Sequence, residues 1–263
     1  MNVEKPSHEF SIGEILSLTL NLYVSKFLQF FLPFLVAGII TGFSMYVIVS
    51  SFPLPEPPSP PPVSYEEMFE WFSAFLSAVI SIGILSALVT WIVSTTTTGI
   101  ATKYTSDQIE KGTSNLGASL NLTISRLPSL LIAQFITGIL TTIGMFIFII
   151  PGIIIAIMFS LTIPTIIIEQ KSAFESLGRS RRLVRNRWLK TFVLLLILVI
   201  IVGIVTFVAN LLATPLNTTY PNASLIVSSI TSSFLAPIFP IAMTYLYYTM
   251  VAREVGPPPP PPF

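Results

Sequence analysis

The sequence predicts an all-α fold, a polytopic membrane helical bundle of six transmembrane helices, and three observations carry that prediction. Of the 263 residues, 52% are hydrophobic and only 10% charged, too little polar surface to solvate a globule of this size. The apolar residues gather into six runs, each near the roughly 20 residues a helix needs to cross a bilayer. Threading the chain through six crossings puts all 13 Lys and Arg on one side, together with both termini. By the positive-inside rule that side is the cytoplasm of a cell membrane.

Leu28–Val49 is the first run. Met1–Phe10 before it is polar and of mixed sign, and no small-residue cleavage site follows, so the span is expected to be retained. The connection to the second run, Trp71–Val93, holds Glu56, Glu66, Glu67 and Glu70 with no base, as an outer loop should. Its tract Pro53–Pro62 is expected to be extended polyproline II. Ser94–Ser129 is the longest inner stretch, about 36 residues, short of the roughly 40 at which a chain could hold a core of its own. No soluble catalytic domain fits.

Leu130–Ile149 and Gly152–Ile168 are the third and fourth runs, with Pro151-Gly152 as the turn signal between them. Two full crossings are favoured over a re-entrant loop, since about forty mostly apolar residues separate Arg126 from Glu169. Thr191–Leu212 and Leu225–Thr249 complete the set. Their outer loop holds sequons at Asn217 and Asn222, candidates for glycosylation; a third, at Asn121, faces inward and is expected to be silent. The tail Pro257–Pro262 with Phe263 either docks in an aromatic groove of a cytoplasmic polyproline-binding partner or stays solvated.

A repeat orders these runs. Leu20-Asn21-Leu22-Tyr23-Val24-Ser25-Lys26-Phe27 matches Leu120-Asn121-Leu122-Thr123-Ile124-Ser125-Arg126-Leu127, and Arg181-Arg182-Leu183-Val184-Arg185-Asn186-Arg187-Trp188 is a looser third copy. Leu16, Leu116 and Leu177 align upstream. The unit reads as an amphipathic inner-surface helix, a base at the water boundary, then a membrane hairpin. One membrane domain over residues 1–263 would thus hold units of about 1–102, 103–170 and 171–263.

Within the spans, Pro164, Pro237 and Pro240 remove backbone donors and are expected to kink their helices. Gly38 with Gly42, Gly83 with Ala87 and Gly152 with Ala156 offer close helix contacts, within the chain or between copies. No Asp, Glu, Lys, Arg or His falls in the middle of a span, although ion-coupled carriers usually keep one there. Gln134, Asn210 and Thr95–Thr98 are the polar residues near membrane depth, suited to hydrogen bonds between helices.

Arg179, Arg181, Arg182, Arg185, Arg187 and Lys190, with Trp188 among them, are the strongest polar feature. With Lys26 and Arg126 they are candidates for contact with the phosphates of anionic lipid headgroups, or for orienting the chain alone. Glu169 and Glu175 flank the cluster and are placed to pair with its arginines. His8 stands alone and is expected to be solvated. The chain has no Cys, no His-Glu-x-x-His, no phosphate-cradling Gly-rich loop and no Gly-x-Ser-x-Gly elbow, so neither a catalytic set, a metal site nor a cofactor is expected.

From Pro151-Gly152 through Pro164, Ile166-Ile167-Ile168-Glu169 and Ala173-Phe174-Glu175-Ser176-Leu177 to Arg179-Ser180-Arg181-Arg182-Leu183, the chain resembles a known family. It is similar to the membrane domain attached to some bacterial glycerophosphoryl diester phosphodiesterases and to related stand-alone, uncharacterised archaeal and bacterial membrane proteins. In the fused enzymes catalysis belongs to a separate soluble barrel, so the resemblance implies a membrane module and argues against phosphodiesterase activity here. The expected role is a non-catalytic anchor, scaffold or accessory subunit, engaging anionic lipid or another membrane protein complex and not nucleic acid. The alternative is a transporter or channel component for a small solute, with Thr95–Thr98 lining a path.

Overall fold

The computed structural model describes residues 9–58, 64–214 and 230–255. Lys5, His8, Pro60–Pro62, Asn217, Asn222 and the Pro257–Phe263 tail lie outside them. Every regular element among the described residues is helical: α1 (Ile12–Ser25), α2 (Phe27–Ser51), α3 (Tyr65–Lys111), α4 (Leu116–Ile147), α5 (Ile149–Met158), α6 (Thr162–Ile168), α7 (Ala173–Val184), α8 (Trp188–Ala213) and, after a helical stretch over 230–235, α9 (Ile238–Val255). Among the described residues, six segments are long and apolar enough to cross a membrane: Phe27–Ser51, Tyr65–Lys111, Leu116–Ile147, Ile149–Ile168, Trp188–Leu212 and Ile230–Glu254. The stretch Ser94–Ser129 is not a loop. It continues α3 and α4, with Gly112–Asn115 between them, where Gly112 takes the positive φ that ends α3.

The chain divides into two units, Met1–Leu35 with Thr95–Phe263, and Val36–Ser94. In the smaller unit Trp71 Nε1 donates to the Pro55 carbonyl at 3.1 Å, tying the proline segment to α3. The positions where a Cβ would stand on Gly42 and Gly83 have nothing within 4 Å, so no close contact is made there among the described residues of the chain itself. Four-residue spacing permits approach, but bulky neighbours such as Met45 and Tyr46, one turn from Gly42, share its surface.

The larger unit is built around α9. Ile241 to Met250 are all buried, as a helix enclosed by others must be. The Tyr23 hydroxyl donates to the Phe234 carbonyl at 2.6 Å, and Tyr23, Phe27 and Phe31 pack their rings against Phe234. That cluster fastens α1 and the start of α2 beside the turn at Ala236–Pro237. Pro237 therefore breaks the last span, whereas Pro240 falls in the first turn of α9, where a missing N–H costs nothing.

The fourth span breaks too, but not at Pro164. The gap is Phe159–Leu161, and Pro164 again lies in the first turn of the following helix, α6. Ser180 repairs the gap: its hydroxyl donates to the Met158 carbonyl at 2.8 Å and accepts from the Leu161 N–H at 3.1 Å. Irregular backbone at membrane depth is tolerable where protein satisfies it in this way.

Pro151-Gly152 is not the turn between the third and fourth spans. Phe148, in extended conformation, is the turn, and Pro151 and Gly152 already belong to the first turn of α5. Proline is at home there, so the dipeptide marks a helix start. Gly152 serves a different purpose: a Cβ on it would lie 2.7 Å from the Met145 nitrogen, and one on Gly144 would lie 2.9 Å from the Gly152 Cα. The two glycines allow α4 and α5 to touch backbone to backbone.

Two short helices begin with one device. Ser11 and Glu14 form a capping box at α1, each bonding the other's backbone N–H, and Ser172 and Glu175 form another at α7. Glu175 thus caps its own helix, with no arginine partner among the described residues. The boxes lie 161 positions apart, the same offset that aligns Leu20 with Arg181. At that offset the buried Ile15, Thr19, Leu22 and Tyr23 of α1 fall on Ser176, Ser180, Leu183 and Val184 of α7, which are also buried. In α4, Ser119 and Thr123 are buried at the positions of Thr19 and Tyr23. Lys26 separates α1 from α2, and Arg185–Arg187 separates α7 from α8, but α4 runs unbroken through Arg126. After Arg185 comes Asn186 in the left-handed conformation that ends a helix; nothing comparable follows Arg126.

Candidate functional site

The basic residues between Arg181 and Lys190 lie where α5, α7 and the start of α8 meet. α7 buries Ala173, Ser176, Leu177, Ser180, Leu183 and Val184, a stripe at three- and four-residue spacing. Gly178, Arg181, Arg182 and Arg185 share the opposite side at the same spacing. Asn186, at φ 70, turns the chain and delivers Arg187 as the N-cap residue of α8 with exposed Trp188 after it. Here stand the expected Arg181, Arg182, Arg185, Arg187, Trp188 and Lys190.

The remaining candidates go elsewhere. Arg179 turns toward the bundle, donating from Nε to Glu169 at 2.8 Å and lying 2.7 Å from Glu254, so it is spent on holding the C-terminal ends of α6 and α9 against α7. Tyr247 donates to the same Glu169 oxygen at 2.8 Å and Lys171 reaches the other at 3.2 Å. Burial pushes the Glu169 carboxyl upward, but the hydrogen bonds from Arg179, Tyr247 and Lys171 outweigh it and hold the group below the ordinary carboxylate range. Arg126 donates to Gln170 at 2.8 Å, bringing the first half of α4 to the end of α6. Lys26 is half-buried at the junction of α1 and α2.

Arg187 and Lys190 share one acid. Glu9 accepts from Arg187 Nε and Nη2 at 2.9 and 3.0 Å and from Lys190 at 2.8 Å, and Lys190 also donates to the Phe10 carbonyl. Desolvation works against Glu9, yet these bonds hold its pKa below the usual value. Arg181, Arg182 and Arg185 are exposed and make no ion pair with any described residue. They open onto a cavity of about 1340 Å³, whose other walls include Ile12, Ile154, Met158 and Val193.

Sequence reasoning missed Glu9, Tyr247, Tyr248 and Glu254. Tyr248 donates to Glu110 at 2.7 Å and shares a 2.8 Å bond with Ser106. Glu9 carries no local signal, since its partners are 178 and 181 positions away. The pair Tyr247-Tyr248 gave one, two polar tips near the C-terminal end of an otherwise apolar span.

No curated protein and no solved structure matches the chain. Residues 118–260, more than half of it, match the family described as membrane domain of glycerophosphoryl diester phosphodiesterase. The match runs from α4 to the end of α9 and takes in the α7 arginines and the Glu169 network. With six apolar spans, the α7–α8 basic corner and this match, the chain is a multi-pass integral membrane protein belonging to the family of the glycerophosphoryl diester phosphodiesterase membrane domain.

Proposed function

We propose that the protein is a non-catalytic membrane module, an anchor, scaffold or accessory subunit whose basic inner helices engage anionic lipid headgroups or a partner in the same membrane. The orientation is that of the positive-inside rule, with both termini and the α7–α8 corner in the cytoplasm. The observation that carries the reading is the arginine stripe Arg181, Arg182, Arg185 beside exposed Trp188, at the start of a span. A cationic stripe with an aromatic neighbour suits the headgroup layer, where each base near an anionic surface contributes about 1 kcal/mol. The carboxylates Glu9 and Glu169 support the non-catalytic part: both are held ionised by cations and are not poised to exchange protons near neutral pH.

Gentle extraction from the native membrane, followed by mass spectrometry of what stays attached, tests this. Reproducible co-purification of a membrane complex, or of anionic lipid, is expected. Lipid turnover by the pure protein, lost in Glu169→Gln, would replace the reading with an enzymatic one. Transport is the second reading, favoured by the two broken spans, since broken helices often line solute paths. Solute flux into vesicles holding the pure protein would select it.

A further inference from the structure

We infer that the cavity between α5, α7 and α8 is a site for a single phosphate-bearing amphiphile, an anionic phospholipid with its headgroup on α7 and an acyl chain along α5. This deepens the headgroup-contact reading above and rests on it.

The cavity is two-sided. Arg181, Arg182 and Arg185 stand on one face of α7, exposed and without ion pairs among the described residues. Five cations and one carboxylate, Glu9, line it, and Glu9 is already shared by Arg187 and Lys190. The lining therefore keeps an excess of positive charge that only an anion can balance. Guanidinium groups favour the tetrahedral oxygens of a phosphate, to which they donate in pairs. The opposite wall is apolar: Ile154 and Met158 from α5 and Val193 from α8.

A free inorganic anion would leave that wall unused, and a neutral lipid would leave the arginines unpaired. An anion attached to a hydrocarbon chain satisfies both. At about 1340 Å³ the space exceeds the roughly 300–1,000 Å³ of ordinary small-molecule pockets, as a ligand with a tail requires.

The test uses the full chain in detergent and in nanodiscs of phosphatidylcholine with a minor share of phosphatidylglycerol, reading retained lipid by native mass spectrometry. Wild type is expected to keep phosphatidylglycerol through delipidating washes, with inorganic phosphate failing to displace it. Three variants divide the outcomes, each checked for an unchanged elution profile. R181Q/R182Q/R185Q should lower retention roughly tenfold or more, given the contribution of each base. Met158→Trp, which fills the apolar wall and leaves every charge in place, should lower it as well. Lys26→Gln with Arg126→Gln, outside the cavity, should not.

Equal loss in the Lys26/Arg126 variant would overturn the cavity while leaving general headgroup attraction standing. Displacement by inorganic phosphate would show a free-anion site in place of a lipid site, and an unaffected Met158→Trp would overturn the acyl chain's place along α5. Full retention by the triple variant would overturn both the cavity and the headgroup reading of α7.

Discussion

Trp188–Leu212 and Ile230–Glu254 are spans of 25 residues in the same unit, yet they solve the membrane in opposite ways. The first is the most apolar of the six spans and lies mostly exposed on the unit's surface; the second is the least apolar and mostly buried. In water the order would be reversed. A bilayer solvates Leu and Ile about as well as a protein interior does, so apolar character commits a helix to lipid. Polar groups need protein around them. Thr244 and Thr249 bond carbonyls of their own helix, while Tyr247 and Tyr248 reach Glu169 and Glu110.

The strongest way to break this contrast is to overfill the interior helix. Ala242, fully buried on α9, should not accept Phe: a loss of about 3 kcal/mol or more is expected, read as a drop in unfolding temperature in detergent. Tolerance would mean that α9 is not enclosed. Gly152→Ala comes next, since its new methyl meets Met145 backbone; about 1–3 kcal/mol and a loosened α4–α5 pair should appear in the same assay and in crosslinking yield.

Tyr247→Phe removes one bond to Glu169 and should cost about 1 kcal/mol. The same group gives an acid signature. Because the Glu169 pKa is lowered in the fold, its contribution is present above its ordinary value of 4.5 and fades as pH falls through the lowered value. Melting followed from pH 7 downward should lose stability on the acid side of 4.5, and Glu169→Gln should flatten that part of the profile. The smallest effect belongs to the lipid-facing helix: Ile204→Ala on α8, 59% exposed, should change stability by less than about 0.5 kcal/mol. A larger drop would place protein against that face.

Most of the fold was legible because bilayer thickness imposes a length that composition alone reveals. Phe27–Ser51 and Trp188–Ala213 fall within a few residues of the expected runs. Breaks were harder to read. Proline pointed to Pro164, but a break forms where backbone groups find other partners, and Ser180, nineteen positions from Leu161, supplies them. The basic cluster was visible as composition; its division into an inward Arg179, clamped Arg187 and Lys190, and open Arg181, Arg182 and Arg185 was not. That division depends on Glu9 and Glu254, which only the folded chain brings near.

In the register that lays the two capping boxes on each other, Arg181, Arg182 and Arg185 take the places of Leu20, Asn21 and Val24. Leu20 and Val24 are 51% and 73% exposed, on a helix whose four buried residues all fall on buried positions of α7. One helix plan thus sets Leu20 and Val24 on the outer face of α1 where α7 sets arginine. Three side chains therefore set what each outer face can contact: hydrocarbon for Leu20 and Val24, phosphate for Arg181, Arg182 and Arg185.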